Sequence, residues 1–262
     1  RDYPFRQIIN YFYSVVEGRW IPTDQARAIT DINMTDLKQF SSELLGELEV
    51  EMLASGNLNR ETLGRLVKQL QVVKFNALTN HYKIAKLQQY DISRSMTIDH
   101  EDTVLIQYIQ ADTDTLKERA VSGLLAQMIS APFYNELRTQ KQLGYVVSAF
   151  SLPINRVPGI CMIAQSPVAS EHELKNEFVA FNQRFKQQID NLSLAELQRH
   201  KRALLVDIEK APDNLTEYSA RHLKSLNLGF NNFDFYNQLA SAINALSIAD
   251  IQLAYQRLVL DK

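Results

Sequence analysis

Residues 129–150 read ISAPFYNELRTQKQLGYVVSAF, and this stretch decides how the rest of the chain is read. Pro132 predicts a helix restart, with a short helix running to Arg138. A polar turn, Thr139 to Gln142, leads through Leu143 to Gly144, and Tyr145 opens a strand that continues to Phe150. Such a helix–turn–strand corner can aim a guanidinium and a phenol at one cleft. Composition alone leaves a plainer reading open, with Arg138 as a charge at a helix C-terminus and Tyr145 as an aromatic whose ring packs while its hydroxyl stays wet.

Outward from this corner the periodicities sort into sheet and helix. Upstream, Thr103–Ala111 is β-rich, and Leu116, Ala120, Leu124 and Met128 mark a helix between that strand and the corner. Downstream, Gly159–Gln165 is a further strand, reached through a turn containing Pro153, Asn155 and Pro158. Ser170-x-x-Glu173 and Ser193-x-x-Glu196 are capping boxes, in which hydroxyl and carboxylate each satisfy a backbone N–H that the helix start leaves unpaired. They open two long helices. Leu174, Phe178, Phe181 and Phe185 supply the buried face of the first; Leu197, Leu204 and Ile208 supply that of the second, which Pro212 ends. About three more helices follow, the last from Ser247 to near Leu258. Strands first, with helices stacked on them, predict an α+β sandwich of sheet and helix layers.

The first third reads differently. Asp2–Val16 is an amphipathic helix stopped near Gly18, and a second helix begins near Thr35 with Leu37, Phe40 and Leu44 on one face. Leu48, Val50 and Met52 alternate with Glu47, Glu49 and Glu51, which predicts a strand over 47–53 with one wet face. Ser55-Gly56-Asn57 turns the chain into a helix carrying Leu63, Leu66, Val67 and Leu70. Residues 71–95 are expected to link two domains, over 1–78 and 79–262. A chain opening at Arg1 in mid-element reads as a piece of something longer. The strand 47–53 would then lack its sheet neighbours, so it is expected either to pair with its copy in a dimer or to be poorly ordered.

Bulk composition narrows the function. Of 262 residues, 45% are hydrophobic and 22% charged, as in an ordinary globular protein, and a formal charge of −2 gives no reason to expect nucleic acid or an anionic membrane as partner. No apolar run approaches the roughly 20 residues of a membrane span. The single cysteine, Cys161, forbids an internal disulfide; among Ile160, Met162 and Ile163 it reads as a packing residue. The five histidines are His81, His100, His172, His200 and His222, with no two at the four-residue spacing that puts two imidazoles on one helix face. His172-Glu173 starts like such a motif, but Asn176 stands where the second His would be. No G-x-S-x-G elbow, P-loop or dinucleotide fingerprint is present. Neither metal ligands nor catalytic residues are therefore expected in this chain.

The corner itself resembles a known pattern. ISAPFYNELRTQKQLGYVVSAF is similar to the segment marking the last domain of the pitrilysin and insulin-degrading-enzyme family, with core F-N-x-L-R-T-x-x-Q-L-G-Y-x-V; Tyr134 stands in place of its Phe. The similarity continues through the long C-terminal helices, and LEVEMLASGNLNRETL resembles the strand–turn–helix unit that closes the preceding domain. The resemblance implies a metallohydrolase-like domain, complete over 79–262 and preceded by the end of a third copy over 1–78. It also implies a zinc endopeptidase whose two bowl-shaped halves enclose peptide substrates. Zinc would lie in the first domain, on an inverted H-x-x-E-H motif and a distal Glu. This chain would be its non-catalytic C-terminal half, partnered with the catalytic N-terminal half of the same polypeptide and inactive alone.

On that resemblance Arg138 and Tyr145 are the substrate-binding residues. A guanidinium fork can hold peptide carbonyls, and a phenol can donate to a developing oxyanion. Likeness to the bacterial members implies a periplasmic address. The stretch Glu209-Lys210-Ala211-Pro212-Asp213-Asn214 lacks a lysine pair found in relatives of the mammalian type, so polyanion regulation there is not expected. The family also includes members without zinc that serve as structural or interaction subunits, which remains the alternative.

Overall fold

The computed structural model describes residues 3–46, 52–70, 87 and 92–261. The chain divides into two compact units, one of Arg1–Arg19, Ile84–Lys210 and Phe235–Lys262, the other of Trp20–Lys83 and Ala211–Asp234. The expected boundary at 78/79 lies outside the described residues, as does most of the expected linker.

Among the described residues the first unit is built on three antiparallel strands: β1 (Thr103–Gln110), β2 (Val146–Ser151) and β3 (Gly159–Ser166), in the order β1-β3-β2. Thr103 lies opposite Ser166, Gln110 opposite Gly159, and Val146 opposite Gln165. Every residue of the central strand β3 is buried, which explains its unbroken apolar run of Ile160 to Ala164. A tight hairpin joins β2 to β3: Ile154 and Val157 exchange both backbone hydrogen bonds at 2.9 Å, with Asn155 and Arg156 both at positive φ. Two positive φ values are what a two-residue turn needs to match the strand twist.

Helices cover both faces of this sheet. Helix α1 (Pro4–Glu17) begins with Pro4 in its first turn and ends on Gly18 in the left-handed region at φ 68°. It packs on β1, with the rings of Phe12 and Tyr108 5.3 Å apart. On the opposite face, Val147, Ala149, Ile160, Met162 and Ala164 join the core that α5 (Leu116–Tyr134), α6 (Glu171–Asp190), α7 (Leu194–Glu209), α9 (Phe235–Ala245) and α10 (Ile248–Tyr255) complete. Phe133 meets Phe178 and Phe181 edge-on at 5.1 Å each, and Phe185 continues the row to Tyr255. Both predicted capping boxes are present, at Ser170/Glu173 and Ser193/Glu196.

Pro132 does not restart a helix. Helix α5 runs through it to Tyr134 and passes into a π-helical turn, Asn135–Gln140. Proline in a helix interior costs about 3 kcal/mol. Ile129, Phe133 and Leu137, all fully buried along this run, together contribute more, at roughly 1.5–3 kcal/mol each.

The second unit holds α2 (Pro22–Thr30), α3 (Met34–Gly46), α4 (Arg60–Leu70) and α8 (Leu215–Asn227). The sequence reading missed α2, a short helix with Pro22 at its start, Asp24 in its first turn and Arg27 in its last. Leu37, Phe40 and Leu44 do share a face of α3, but all three are exposed. In the expected strand 47–53, residues 47–51 lie outside the described residues, and Met52 and Leu53 are not in a strand. Tyr218, His222 and Phe233 form an aromatic group at the end of this unit, with centroids 4.1 and 4.8 Å apart.

Candidate functional site

The corner between α5 and β2 is held from three sides. Its π-helical turn closes with Lys141 N donating to Glu136 O at 3.0 Å, and Leu143 N donates back to Leu137 O at 2.9 Å. Leu137 anchors the turn in the core. Lys141 and Arg184 both pair with Glu136 and Glu177, which ties the turn to α6. Gln142 then takes a left-handed φ of 54°. Gly144 runs so close to β3 that a Cβ there would fall 1.9 Å from the carbonyl oxygen of Gln165. Only glycine permits that approach, and it delivers Tyr145 to the end of the sheet beside Gln165.

Arg138 and Tyr145, the two expected substrate contacts, are brought together here. The Arg138 guanidinium donates through Nη1 to the backbone oxygen of Tyr145 and lies 5.4 Å from the centroid of the Tyr134 ring. The remaining N–H groups of the fork have no partner among the described residues. Tyr134, in the place of the family's Phe, keeps the ring on which this cation rests.

Two further residues complete the site. Tyr145 Oη donates to Asp102 Oδ2 at 2.6 Å, and Gln165 Nε2 donates to the same oxygen at 2.6 Å and also to Tyr145 Oη. Gln165 is buried, with Oε1 accepting from Phe5 N at the start of α1 at 3.2 Å. Asp102 sits just before β1, with the His100 ring 3.6 Å from its Oδ1. Burial pushes the Asp102 carboxyl up, but the hydrogen bonds from Gln165 and Tyr145, with His100 nearby, bring it below its ordinary value. The hydrogen bond to Asp102 raises the Tyr145 phenol, with burial and the carboxylate charge adding to it.

The sequence reading did not find Asp102 and Gln165, because neither lies in a motif. The antiparallel register, which puts Thr103 opposite Ser166, is what brings them to one end of the sheet.

Elsewhere the chemistry is sparse. Cys161 is buried in β3, which pushes its thiol up to about 12 and suits a packing role. Asn176 Nδ2 and His172 Nε2 lie 3.0 Å apart on α6, so the asparagine in the second-His position binds the first ring. Among the described residues no three His, Cys, Asp or Glu side chains converge to hold a metal, and the site around Tyr145 offers only one carboxylate and one imidazole. These residues do not fit a zinc centre.

This small antiparallel sheet between helices is similar in fold to pitrilysin, and the chain is similar in sequence to curated peptidases such as insulin-degrading enzyme and Protease 3. The family described as PQQ synthase PqqF-like, C-terminal lobe domain 4, matches residues 124–223, which include the whole corner. Human insulin-degrading enzyme is 24% identical over 260 residues, covering 94% of this chain and 25% of the human protein. Protease 3 of Salmonella typhi is 23% identical over 248 residues, covering 93% of this chain and 26% of its own length. The crystal structure of pitrilysin superposes with a TM-score of 0.58 at 25% identity, over 63% of this chain and 18% of that one. The chain therefore spans about a quarter of the length of the curated relatives it matches.

Proposed function

We infer that this chain is the non-catalytic C-terminal part of a zinc-dependent endopeptidase that degrades peptides in a closed chamber. It corresponds to the end of a third domain, residues 1–78, and a fourth domain, residues 79–262. Its partner is the N-terminal catalytic half of the same polypeptide, which would hold the zinc. Likeness to bacterial relatives such as Protease 3 supports a periplasmic address. On this reading Arg138 and Tyr145 bind the main chain of the peptide.

The observation that carries the reading is the corner itself. A guanidinium with donors to spare and a half-exposed phenol are fixed side by side by Gly144, the π-helical turn and Asp102. A surface arginine and tyrosine with no task would not need a glycine that alone can pass β3.

The test is steady-state kinetics of the full-length protein on a fluorogenic peptide. Arg138→Ala is expected to lower kcat/KM by about 10- to 100-fold, the loss of a charge-assisted hydrogen bond of about 1.5–3 kcal/mol. Tyr145→Phe should also impair turnover. Wild-type kinetics for both variants would return the two residues to a structural role. Absence of any peptidase activity in the full-length protein would favour a structural or interaction subunit instead.

A further inference from the structure

We propose that Asp102, backed by Gln165, is a positioning residue that holds the Tyr145 proton in reserve, so that Tyr145 gives it to a peptide oxygen only as that oxygen becomes an oxyanion. The inference rests on the reading of Tyr145 as a substrate contact, and it names the residues that make this contact selective for the transition state.

A phenol has one proton to give. Tyr145 gives it to Asp102 Oδ2 at 2.6 Å, a length typical of an O–H donating to an ionised carboxylate. Gln165 Nε2 donates to the phenol oxygen, and also to Asp102 Oδ2 at 2.6 Å. The orientation of that amide is fixed, because its Oε1 accepts from Phe5 N at 3.2 Å. Flipped, it would set Nε2 against the Phe5 N–H and Oε1 against a carboxylate, two repulsive contacts in place of two attractive ones. With its proton given and its oxygen taken, the Tyr145 hydroxyl has nothing left for a peptide while it stays in this position.

The phenol is free to leave. Tyr145 is half-exposed, whereas Gln165 is buried and the Asp102 side chain nearly so. When the phenol turns out, Gln165 Nε2 keeps its bond to Asp102 Oδ2, so the carboxylate is not left buried and unpaired. What decides the exchange is the acceptor offered. A neutral peptide carbonyl is a weaker acceptor than an ionised carboxylate and does not draw the proton away. A carbonyl oxygen taking on negative charge as water attacks does match it. The Asp102 bond thus withholds Tyr145 from the bound substrate and releases it as the reaction proceeds. Only interactions stronger in the transition state than in the ground state accelerate a step, and this arrangement supplies one. Arg138 carries no such restraint, since its fork is held by a single N–H on the Tyr145 carbonyl.

The experiment is steady-state kinetics of the full-length protein on one fluorogenic peptide, with Asp102→Ala and Asp102→Asn each made alone and together with Tyr145→Phe. Freed of the carboxylate, the phenol of Asp102→Ala can bond the substrate carbonyl before any reaction. KM should therefore fall by about 3- to 10-fold, the size of one neutral hydrogen bond, with kcat little changed. Asp102→Asn keeps the shape of the side chain and offers the phenol a neutral oxygen, so KM should fall there too, by a smaller factor. Both gains should vanish beside Tyr145→Phe, which has no proton to release. A gain that depends on the phenol is not what a merely structural Asp102 would produce. If either variant instead drops in kcat/KM to the level of Tyr145→Phe, Asp102 holds Tyr145 in its working position and the inference is overturned. An unchanged KM overturns it as well. If Tyr145→Phe alone matches the wild type, the substrate-contact reading fails and takes the inference with it. Asp102→Asn decides the matter even if Asp102→Ala folds poorly.

Discussion

Gly144→Ala is the substitution that most directly tests how the corner is built. The added Cβ would lie 1.9 Å from Gln165 O and 2.8 Å from Gln165 C, both backbone atoms. Ordinary contact needs about 3.5 Å, so the chain at residue 144 must retreat by about 1.6 Å. No flexible side chain can absorb that, because the obstacle is the end of the central strand. Overpacking a well-filled site costs typically 1–3 kcal/mol, and a backbone obstacle places this case at the upper end, about 3 kcal/mol. At about 2–4 °C per kcal/mol for a chain of this size, Tm should fall by roughly 6–12 °C. Gly64→Ala is the control, since a Cβ there, within α4, meets nothing within 4 Å. Alanine in a helix is favoured over glycine by about 0.5–1 kcal/mol, so that variant should melt slightly higher. Urea unfolding of both variants gives the two signs. A Gly144→Ala variant within 0.5 kcal/mol of the wild type would refute the close-approach account of the corner, where 0.5 is about the limit for an unconstrained surface change.

Lys201 is buried, with its Nζ donating to the carbonyls of Asn244, at 2.8 Å, and Leu246; Lys201→Met should leave both unpaired and cost about 2 kcal/mol in a urea titration. Asp250 is held down to about 2 by its hydrogen bonds, with Lys117 first and Ser247 second. Its folded value lies below the unfolded one, so its contribution is present above about pH 4 and lost as pH falls through about 2. After discounting for solvent, Asp250→Asn should cost about 1 kcal/mol at pH 7 and little at pH 1.5; melts of equal deficit at both pH values would show that the ion pair is not the cause. Ser170→Ala, which removes a capping-box hydroxyl from α6, should cost about 1 kcal/mol by the same assay.

How far the sequence could be read depended on whether a signal was local. Both capping boxes and all three strands after residue 100 follow from neighbours within a few positions, and they stand where the periodicity puts them. Pro132 misled because its local penalty is real but is outweighed by burial of Ile129, Phe133 and Leu137, which only the packed core makes visible. The α3 stripe of Leu37, Phe40 and Leu44 has the right period for a helix, yet period alone does not say what covers a face. At the candidate site, Arg138 and Tyr145 could be singled out because both lie in the one short segment that carries the family resemblance. Asp102 and Gln165 could not: Asp102 is 43 positions from Tyr145 in sequence, and they meet only because β1 and β3 pair in one register.

Cys161 sits in the middle of β3, opposite Tyr108 on one side and Phe150 on the other. As the chain's single cysteine, shielded and with its thiol held up near 12, it is closed to alkylating reagents while the sheet is intact. Each labelling event then timestamps one excursion in which the central strand lets go of a neighbour. The rate of thiol modification in native buffer is thus a clock for sheet opening, wound into the protein without any engineered probe.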